Sequence, residues 1–100
     1  GKSLVYFHME GCPFCQKFDG GWDKFVSQNK TSIKTRRCES KEPEAQKMQI
    51  QGYPCVYLLD SNGQKIDEWK DRKVPKSASE QANVDEQNCQ SLLAYCQSKQ

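Results

Sequence analysis

Apolar residues follow two different periods along the chain, and each period predicts a different element. Residues 3–8 form a short and mostly apolar run, which is typical of a β-strand. From Cys12 onward the apolar residues recur at helical spacing, at Phe14, Cys15, Phe18, Trp22, Phe25 and Val26. The sequence therefore predicts a strand that leads through a short loop into a long helix. Gly20 and Gly21 fall about two turns into that helix, so we expect a kink there.

The middle of the chain predicts a second strand, a short helix and a hairpin. Residues 31–38 are typical of a strand, and residues 42–50 of a short helix with a proline in its first turn. Residues 55–59 are strongly apolar, residues 60–63 form a turn that contains Asn-Gly, and residues 64–69 form the returning strand.

The end of the chain predicts a loop and a helix. Residues 72–83 show no periodicity, which favours a loop. A last helix opens at Val84 or Asp85. Its apolar face consists of Cys89, Leu92, Leu93 and Cys96.

The resulting order, βαβαββα, predicts an α/β fold. Two strands joined by a helix are expected to be parallel with a right-handed crossover, whereas the hairpin adds an antiparallel pair. We therefore expect a four-stranded mixed sheet flanked by helices on both faces. A chain of 100 residues has room for one core, so residues 1–100 are expected to form a single domain.

The charge of the chain argues against nucleic acid or a membrane as a partner. The net charge is +2, and the basic residues are scattered except at Arg36-Arg37 and over residues 70–76. Such short clusters are typical of a solvated surface. No run approaches the ~18 apolar residues that a membrane span requires. We expect a monomer without either partner.

The Cys12-Pro13-Phe14-Cys15 motif lies where the first strand leads into the helix. Pro13 suits a first helical turn, where its missing N–H would have no partner. Cys12 then lies beside the free amides and the positive dipole end of the helix, which stabilise a thiolate. Cys15 lies one turn away, close enough to resolve a mixed disulfide formed by Cys12. We expect Cys12 to be exposed and Cys15 to be more buried.

The other four cysteines do not suggest a disulfide scaffold, because the chain has regular elements that can build a core. Cys89 and Cys96 are separated by about 10.5 Å of helical rise, at ~1.5 Å per residue, which exceeds the Cα separation of a disulfide. Cys38 and Cys55 are expected on strands separated by the first strand, about two spacings of ~4.8 Å apart. We expect most of these cysteines to be buried single thiols.

The residues around the motif resemble the thioredoxin superfamily, both thioredoxins and domains of the protein disulfide isomerase type. Residues 4–7 followed by residues 12–15 are similar to the family's strand, active-site loop and helix. Residues 22–25 are similar to the helix continuation of protein disulfide isomerase domains, and residues 51–54, Gln-Gly-Tyr-Pro, to a second motif of those domains. The match covers about residues 3–70 and a C-terminal helix, and it implies a thioredoxin-like fold.

The resemblance implies that Pro54 is a cis-proline beside the cysteine pair. A cis X-Pro bond turns the chain sharply and usually marks a functional turn. In the family, the backbone of the residue at Tyr53 pairs with an extended substrate peptide. Tyr53, Pro54, Pro13 and Phe14 are therefore the predicted substrate-binding residues.

The chain departs from the family at several positions. Pro13-Phe14 resembles the dipeptide of glutaredoxins. The buried acid that assists proton transfer in thioredoxins maps onto Tyr6, which is most simply a core residue. The family commonly has Thr where this chain has Cys55. The chain also begins directly at the strand that bears Tyr6, without the usual preceding strand and helix.

Three residues are candidate modulators of the cysteine pair. His8 precedes Cys12 by four residues and either influences its thiolate or is structural. Tyr6 occupies the position of the missing acid. Cys55 is either inert packing or a regulatory thiol that glutathione caps.

The main hypothesis is a thiol–disulfide oxidoreductase that acts on protein substrates, with Cys12 as nucleophile and Cys15 as resolving cysteine. The alternative is a glutathione-linked glutaredoxin, although that family's Thr-Val-Pro and Gly-Gly-x-Asp segments have no counterpart here. A third hypothesis is a zinc or iron–sulfur domain that uses Cys12, Cys15, Cys55 and His8 as ligands. The expected cis-proline argues against this hypothesis, because it would shield the cysteine pair from a metal. A redox-inert interaction module is the fourth, and the presence of both cysteines argues against it.

The main hypothesis implies disulfide-containing protein substrates, and a reductase or glutathione as the electron source. It implies no metal, and no cofactor other than the redox-active Cys12–Cys15 disulfide. The sequence leaves the compartment undecided between the cytoplasm, slightly favoured, and an oxidising compartment such as the periplasm, the ER lumen or the exterior. The oxidising compartment would require an upstream signal that has been removed.

Overall fold

The computed structural model describes all residues from Gly1 to Gln100 and contains four strands and three α-helices. A short 3₁₀ turn over Ala78–Glu80 precedes the last helix. In chain order the elements are β1 (Ser3–His8), α1 (Pro13–Gln28), β2 (Lys34–Glu39), α2 (Pro43–Lys47), β3 (Cys55–Leu59), β4 (Lys65–Trp69) and α3 (Gln81–Lys99). None of the helices is long and apolar enough to span a bilayer.

The sheet has the strand order β2-β1-β3-β4. Strands β1 and β2 are parallel, while β1 and β3, and β3 and β4, are antiparallel. This mixed sheet flanked by helices confirms the fold class predicted from the order of elements. Because β1 is paired on both edges and covered on both faces, its residues Leu4 to Phe7 are completely buried. The continuous apolar run of β1 follows from that position.

Alternate side chains of β1 enter two separate hydrophobic clusters on the two faces of the sheet. Leu4 and Tyr6 pack with aromatic residues of α1 and apolar residues of α3. Val5 and Phe7 pack with Ala45 of α2 on the opposite face. The larger cluster lies beneath the start of α1, so it supports the segment that carries the cysteine pair.

Three element boundaries differ from the prediction by more than one residue, and local interactions explain two of them. Strand β2 begins at Lys34 rather than at residue 31, because the Asn29 side chain accepts the Thr31 N–H at 3.2 Å and donates to the Ile33 carbonyl at 3.0 Å. Helix α2 ends at Lys47, and Gln49 then adopts a left-handed conformation with φ of 53°. Helix α3 begins earlier than predicted, at Gln81.

The two glycines of α1 do not interrupt the helix, which runs unbroken from Pro13 to Gln28. They lie instead where α3 packs against α1. A Cβ atom at Gly20 would come within 2.5 Å of the Asp85 carboxylate, and one at Gly21 within 3.0 Å of the Asn88 Cβ. The glycines therefore allow close helix packing, and the helix continues through the position at which a kink is predicted.

A buried asparagine fixes the predicted loop between β4 and α3. The Asn88 side chain is completely buried and accepts the Lys73 N–H at 2.8 Å. Its amide also donates to the Lys73 carbonyl at 3.1 Å. Both backbone groups of one loop residue are thus paired with one side chain of α3, which holds the loop against the helix.

Candidate active site

Cys12 is the N-cap of α1, as the position of the motif after β1 predicts. Its backbone is extended, with φ of −86° and ψ of 112°, and Pro13 is the first helical residue. The Cys12 Sγ accepts the Cys15 N–H at 3.2 Å. The sulfur therefore takes the position that a Ser or Asp oxygen takes in other helix caps, where negative charge is stabilised.

The loop between β1 and α1 is fastened to the end of β2. Gly11 adopts a left-handed conformation with φ of 77°, and the Cys12 N–H donates to the Met9 carbonyl at 3.2 Å. The Glu39 carboxylate accepts the Glu10 N–H at 3.2 Å. Sequence reasoning missed Glu39, because only the parallel pairing of His8 with Glu39 brings it to this loop.

Both thiols of the motif are buried, contrary to the expectation that Cys12 is exposed. The relative exposure of Cys12 is 5%, and that of Cys15 is 3%. Cys12 is the more accessible by a small margin only, because the turn at Tyr53 covers it. The Cys12 thiol donates to the Tyr53 carbonyl at 3.8 Å.

Cys15 is a thiol at neutral pH. Burial raises the pKa of Cys15 to about 11, and its hydrogen bond with Cys12 adds to the rise. Deprotonation of Cys15 is therefore costly in the resting protein.

The Tyr53–Pro54 peptide bond is cis. Pro54 is buried beside the cysteine pair, and Tyr53 is half-buried. The turn brings the Tyr53 backbone next to the Cys12 sulfur. It thus joins two segments that are far apart in sequence.

The remaining predicted substrate-binding residues form an exposed rim around the motif. Pro13 is exposed, and Phe14 has a relative exposure of 51%. Met9, which sequence reasoning did not single out, is 43% exposed on the preceding loop. Exposed apolar side chains thus surround the cysteine pair, and such surface is often a site of interaction.

Tyr6 lies beneath the motif and is more than a packing residue. Its hydroxyl lies 2.8 Å from Asp19 Oδ1 and 3.1 Å from the Cys15 carbonyl, so it donates to these acceptors. Burial, and after it the hydrogen bond to Asp19, raises the pKa of Tyr6 well above its ordinary value. Arg37 pairs with Asp19 at 3.2 Å, and its guanidinium lies 4.9 Å from the centre of the Tyr6 ring.

Sequence reasoning missed Asp19 and Arg37. Asp19 lies four residues after Cys15 and therefore on the same side of α1, which was an available signal. Arg37 lies opposite Tyr6 in the parallel β1–β2 register. That register gives no signal in the sequence.

The side chains of His8 and Cys55 form no hydrogen bond with the cysteines of the motif. The His8 ring packs against Tyr6 at 5.5 Å, and its side chain forms no hydrogen bond. Cys55 lies opposite Phe7 in the β1–β3 register and is half-buried. Burial raises the pKa of Cys55 to about 11.

All six cysteines are free thiols in the structure. Cys38, Cys89 and Cys96 are buried, in agreement with the expectation of single thiols. Cys38 and Cys55 lie opposite the same residue of β1 from its two sides, so a strand separates them as predicted. No three His, Cys, Asp or Glu side chains come together as a metal site.

A small cavity adjoins Pro54 on the side of the larger cluster. Its volume is about 220 Å³, and Phe18, Val56 and Trp69 contribute apolar surface to it. Lys70 and Arg72 also line it, and neither forms an ion pair.

The sequence of this chain matches a protein family, and its structure resembles solved structures. The thioredoxin family model matches residues 1–91. No curated protein sequence matches the chain. The J-Trx1 fragment of ERdj5 is 14% identical with a TM-score of 0.72, over 98% of this chain and 42% of that one.

Two further solved structures share the fold. The first thioredoxin domain of mouse protein disulfide-isomerase A4 is 19% identical with a TM-score of 0.67, over 97% of this chain and 61% of that one. The first two thioredoxin domains of Saccharomyces cerevisiae Eps1p are 17% identical with a TM-score of 0.72, over 96% of this chain and 34% of that one. At these identities the likeness concerns the fold, and the chain spans less than two thirds of each of the three.

Proposed function

The chain belongs to the thioredoxin family, and from this premise we propose that it is a thiol–disulfide oxidoreductase that exchanges disulfides with protein substrates. The observation that carries the proposal is the Cys12 sulfur at the N-terminus of α1, where it accepts the Cys15 N–H at 3.2 Å. The N-terminus of a helix is a position at which proteins place reactive cysteines.

The proposed reaction has two displacements. The Cys12 thiolate attacks one sulfur of a substrate disulfide, an S–S bond forms, and the other substrate sulfur leaves as a thiolate. The Cys15 thiolate then attacks the Cys12 sulfur and releases the second substrate thiolate. The substrate gains two electrons, and the Cys12–Cys15 pair becomes a disulfide.

The turn at Tyr53 and Pro54 is the proposed docking edge for the substrate backbone. The Tyr53 carbonyl lies 3.8 Å from the Cys12 sulfur, so a peptide strand paired with Tyr53 holds its own cysteine beside the nucleophile. The exposed side chain of Phe14 and the cavity beside Pro54 offer contacts on either side of that strand.

The proposal predicts distinct phenotypes for the two cysteines. The assay measures how much the protein accelerates the reduction of insulin disulfides by dithiothreitol. Cys12→Ser is expected to abolish this acceleration, because no nucleophile remains. Cys15→Ser is expected to accumulate mixed disulfides with substrates, visible on non-reducing gels. Cys38→Ala is the matched control, since Cys38 is a buried thiol on the other face of the sheet. Catalysis that survives in Cys12→Ser would contradict the proposal.

The electron source is tested on the same protein. Oxidised protein is mixed either with glutathione or with a thioredoxin reductase and its nicotinamide cofactor, and recovery of the two thiols is measured. Reduction by the reductase supports a thioredoxin-like cycle. Efficient turnover with glutathione alone would instead support the glutaredoxin alternative.

A further inference from the structure

The basic residues that follow β4 do not share one environment. The sequence places Lys70, Arg72 and Lys73 close together, which is typical of a solvated surface. The structure separates them, because Lys70 and Arg72 line the cavity beside Pro54 whereas Lys73 does not. Asp71, which lies between the two, does not line the cavity either. Two cations of this loop, without their acidic neighbour, thus border one cavity.

Positive charge exceeds negative charge around this cavity. Lys70 is exposed and Arg72 is half-buried, and neither forms an ion pair. Glu68 is the carboxylate that lines the cavity, and it is already paired with Lys65 at 3.0 Å. Cys55 adds no charge at neutral pH, because burial raises the pKa of its thiol to about 11. The cavity therefore presents two cations that no protein carboxylate compensates.

The remaining walls of the cavity are apolar. Phe18, Val56 and Trp69 contribute to them, and the volume is about 220 Å³. At ~30 Å³ per water molecule, this volume holds several waters, which a short side chain can displace. Apolar walls suit methylene groups, and unpaired cations suit a terminal carboxylate. Aspartate and glutamate are the side chains that combine both features.

The cavity lies beside the path proposed for the substrate backbone. Pro54 lines it, and the carbonyl of the preceding Tyr53 lies 3.8 Å from the Cys12 sulfur. Phe18 of α1 also lines it, so the cavity lies on the face of the sheet that carries α1 and its N-cap Cys12. Side chains two residues apart in a strand point to the same face. A substrate strand that directs its cysteine at Cys12 therefore directs the side chains two positions away towards this face.

We propose that the cavity is a subsite for an acidic side chain of the substrate, two residues from the reacting cysteine, with Lys70 and Arg72 as specificity-determining residues. This inference rests on the proposed function, since it names the class of protein substrate that the Cys12–Cys15 pair receives. Because water and salt screen partly exposed ion pairs, the preference is modest in size. It governs the choice among substrates and leaves the exchange reaction itself unchanged.

The test uses peptides with a single cysteine that carries a 2-thiopyridyl group, and the full reduced protein. Cys12 attacks the peptide sulfur, a disulfide forms between Cys12 and the peptide, and pyridine-2-thiolate leaves with the electron pair. Its absorbance reports the second-order rate constant. The peptides carry Glu, Gln or Lys two residues before or two residues after the cysteine. Each rate constant is divided by that of the same peptide with 2-mercaptoethanol, which removes intrinsic differences in reactivity.

The wild-type protein is expected to prefer the Glu peptide over its Gln counterpart at one of the two positions. The expected ratio is about threefold to tenfold at low salt, as two partly exposed ion pairs would give. It should fall towards one at ~0.5 M salt, where the charges are screened. Glu placed directly next to the cysteine should give no such preference, because adjacent side chains point to opposite faces.

The variants assign the preference to the cavity. Lys70→Gln with Arg72→Gln should bring the ratio of Glu to Gln close to one, and Lys70→Glu with Arg72→Glu should favour the Lys peptide instead. Lys73→Gln is the matched control, because it removes an exposed positive charge from the same loop without touching the cavity. The ratio is internal to each protein, so a partial loss of folded protein does not alter it.

Several outcomes would overturn the subsite. A wild-type ratio near one at both positions would exclude it, and so would a ratio that survives in the double Gln variant or falls equally in Lys73→Gln. Oxidised glutathione, which also carries carboxylates, is the second substrate. If the double Gln variant slowed only the reaction with glutathione, the cations would serve glutathione rather than a peptide.

Failure of the proposed function gives a different result. Wild-type rates equal to those of Cys12→Ser with every peptide would contradict the proposed exchange reaction. Rates that depend on Cys12 but do not distinguish Glu from Gln would contradict the subsite alone.

Discussion

At the scale of single residues, hydrogen bonds and pKa values distinguish the two thiols of the motif. The two cysteines of the motif are almost equally buried, so exposure does not separate their roles. Their hydrogen bonds do: the Cys12 sulfur accepts a backbone N–H, whereas burial raises the pKa of Cys15 to about 11. The motif thus combines a sulfur that accepts a backbone N–H at the start of a helix with one whose deprotonation burial disfavours.

The same reasoning predicts that Cys55 is inert. Because burial raises the pKa of Cys55 to about 11, little thiolate is present to react with glutathione at pH 7. Cys55→Thr is therefore expected to reduce insulin at a rate within about twofold of the parent. Its reduction potential should lie within ~10 mV of the parent value. Mass spectrometry of the parent after incubation with oxidised glutathione should find no adduct at this residue. A strong loss of activity, or an adduct that disappears in Cys55→Thr, would establish a regulatory thiol instead.

The sequence identifies the reacting residues better than the residues that surround them. Cys12 and Cys15 can be predicted because their chemistry follows from local position, at a strand-to-helix junction. Asp19 and Arg37 cannot, because their relation to Tyr6 depends on strand register and on side-chain direction. Tyr6 is predicted as a core residue from its apolar neighbours, and the partner of its hydroxyl appears only in the tertiary structure.

At the scale of elements, the contact between α1 and α3 depends on two glycines that behave differently. The nearest neighbour of a Cβ at Gly20 would be the Asp85 carboxylate, the end of a side chain that can move. The nearest neighbours of a Cβ at Gly21 would be the Asn88 Cβ at 3.0 Å and the Asp85 carbonyl at 3.2 Å, which are fixed by the helix. Replacement by alanine therefore tests helix packing at two adjacent positions.

Gly21→Ala is expected to lower the free energy of unfolding by about 1–2 kcal/mol, because overpacking outweighs the ~1 kcal/mol gain in helix propensity. Gly20→Ala should raise the free energy of unfolding by up to ~1 kcal/mol, since the Asp85 side chain can swing aside and the gain in helix propensity remains. Urea-induced unfolding of both variants measures the difference. A stabilised Gly21→Ala protein would contradict the close approach of the helices.

Asn88 gives a second prediction for α3. Asn88→Ala removes both hydrogen bonds to Lys73 and is expected to lower the free energy of unfolding by about 2–3 kcal/mol. Amide hydrogen exchange over residues 70–76 should accelerate, because that loop loses its anchor. Asn83→Ala, an exposed position of the same helix, is the control and should change neither quantity. Unchanged exchange in Asn88→Ala would mean that the loop is held by other contacts.

Element boundaries are predictable from the sequence only where a local signal exists. Strands β1 and β3 match their predicted ranges because each is a continuous apolar run between polar residues. The early end of α2 depends on a left-handed glutamine, a conformation that glutamine adopts rarely and that no pattern indicates. The late start of β2 depends on Asn29, whose side chain competes with the sheet for backbone groups.

At the scale of the whole molecule, the strand order β2-β1-β3-β4 gathers distant segments at one end of the sheet. The end of β1 leads to the cysteine pair, and the turn before β3 carries Pro54. Strand β2 brings Arg37 beside the start of α1. The order of elements predicts this sheet, and the resemblance to the thioredoxin superfamily predicts the turn, but neither predicts which charged side chains meet there.

The same arrangement predicts the redox character of the site. In the reduced form the Cys12 sulfur accepts the Cys15 N–H at the start of α1, and interactions that stabilise the reduced form make a disulfide more oxidising. We expect a reduction potential near the glutaredoxin range of about −200 to −230 mV rather than the thioredoxin value of about −270 mV. Equilibration with glutathione redox buffers, with the Cys12–Cys15 thiols quantified by alkylation, measures it.

The dipeptide between the cysteines is the expected determinant, because it alone separates this motif from the Cys-Gly-Pro-Cys of thioredoxins. Replacement of both residues, Pro13→Gly with Phe14→Pro, should lower the potential by about 30–60 mV, and ~30 mV corresponds to ~1.4 kcal/mol for two electrons. Phe14→Leu is the control, since it keeps Pro13 and an apolar side chain at the exposed position. If the parent already lies near −270 mV, or if the double variant leaves the potential unchanged, surrounding groups such as Tyr6 and Asp19 control the couple instead of the dipeptide.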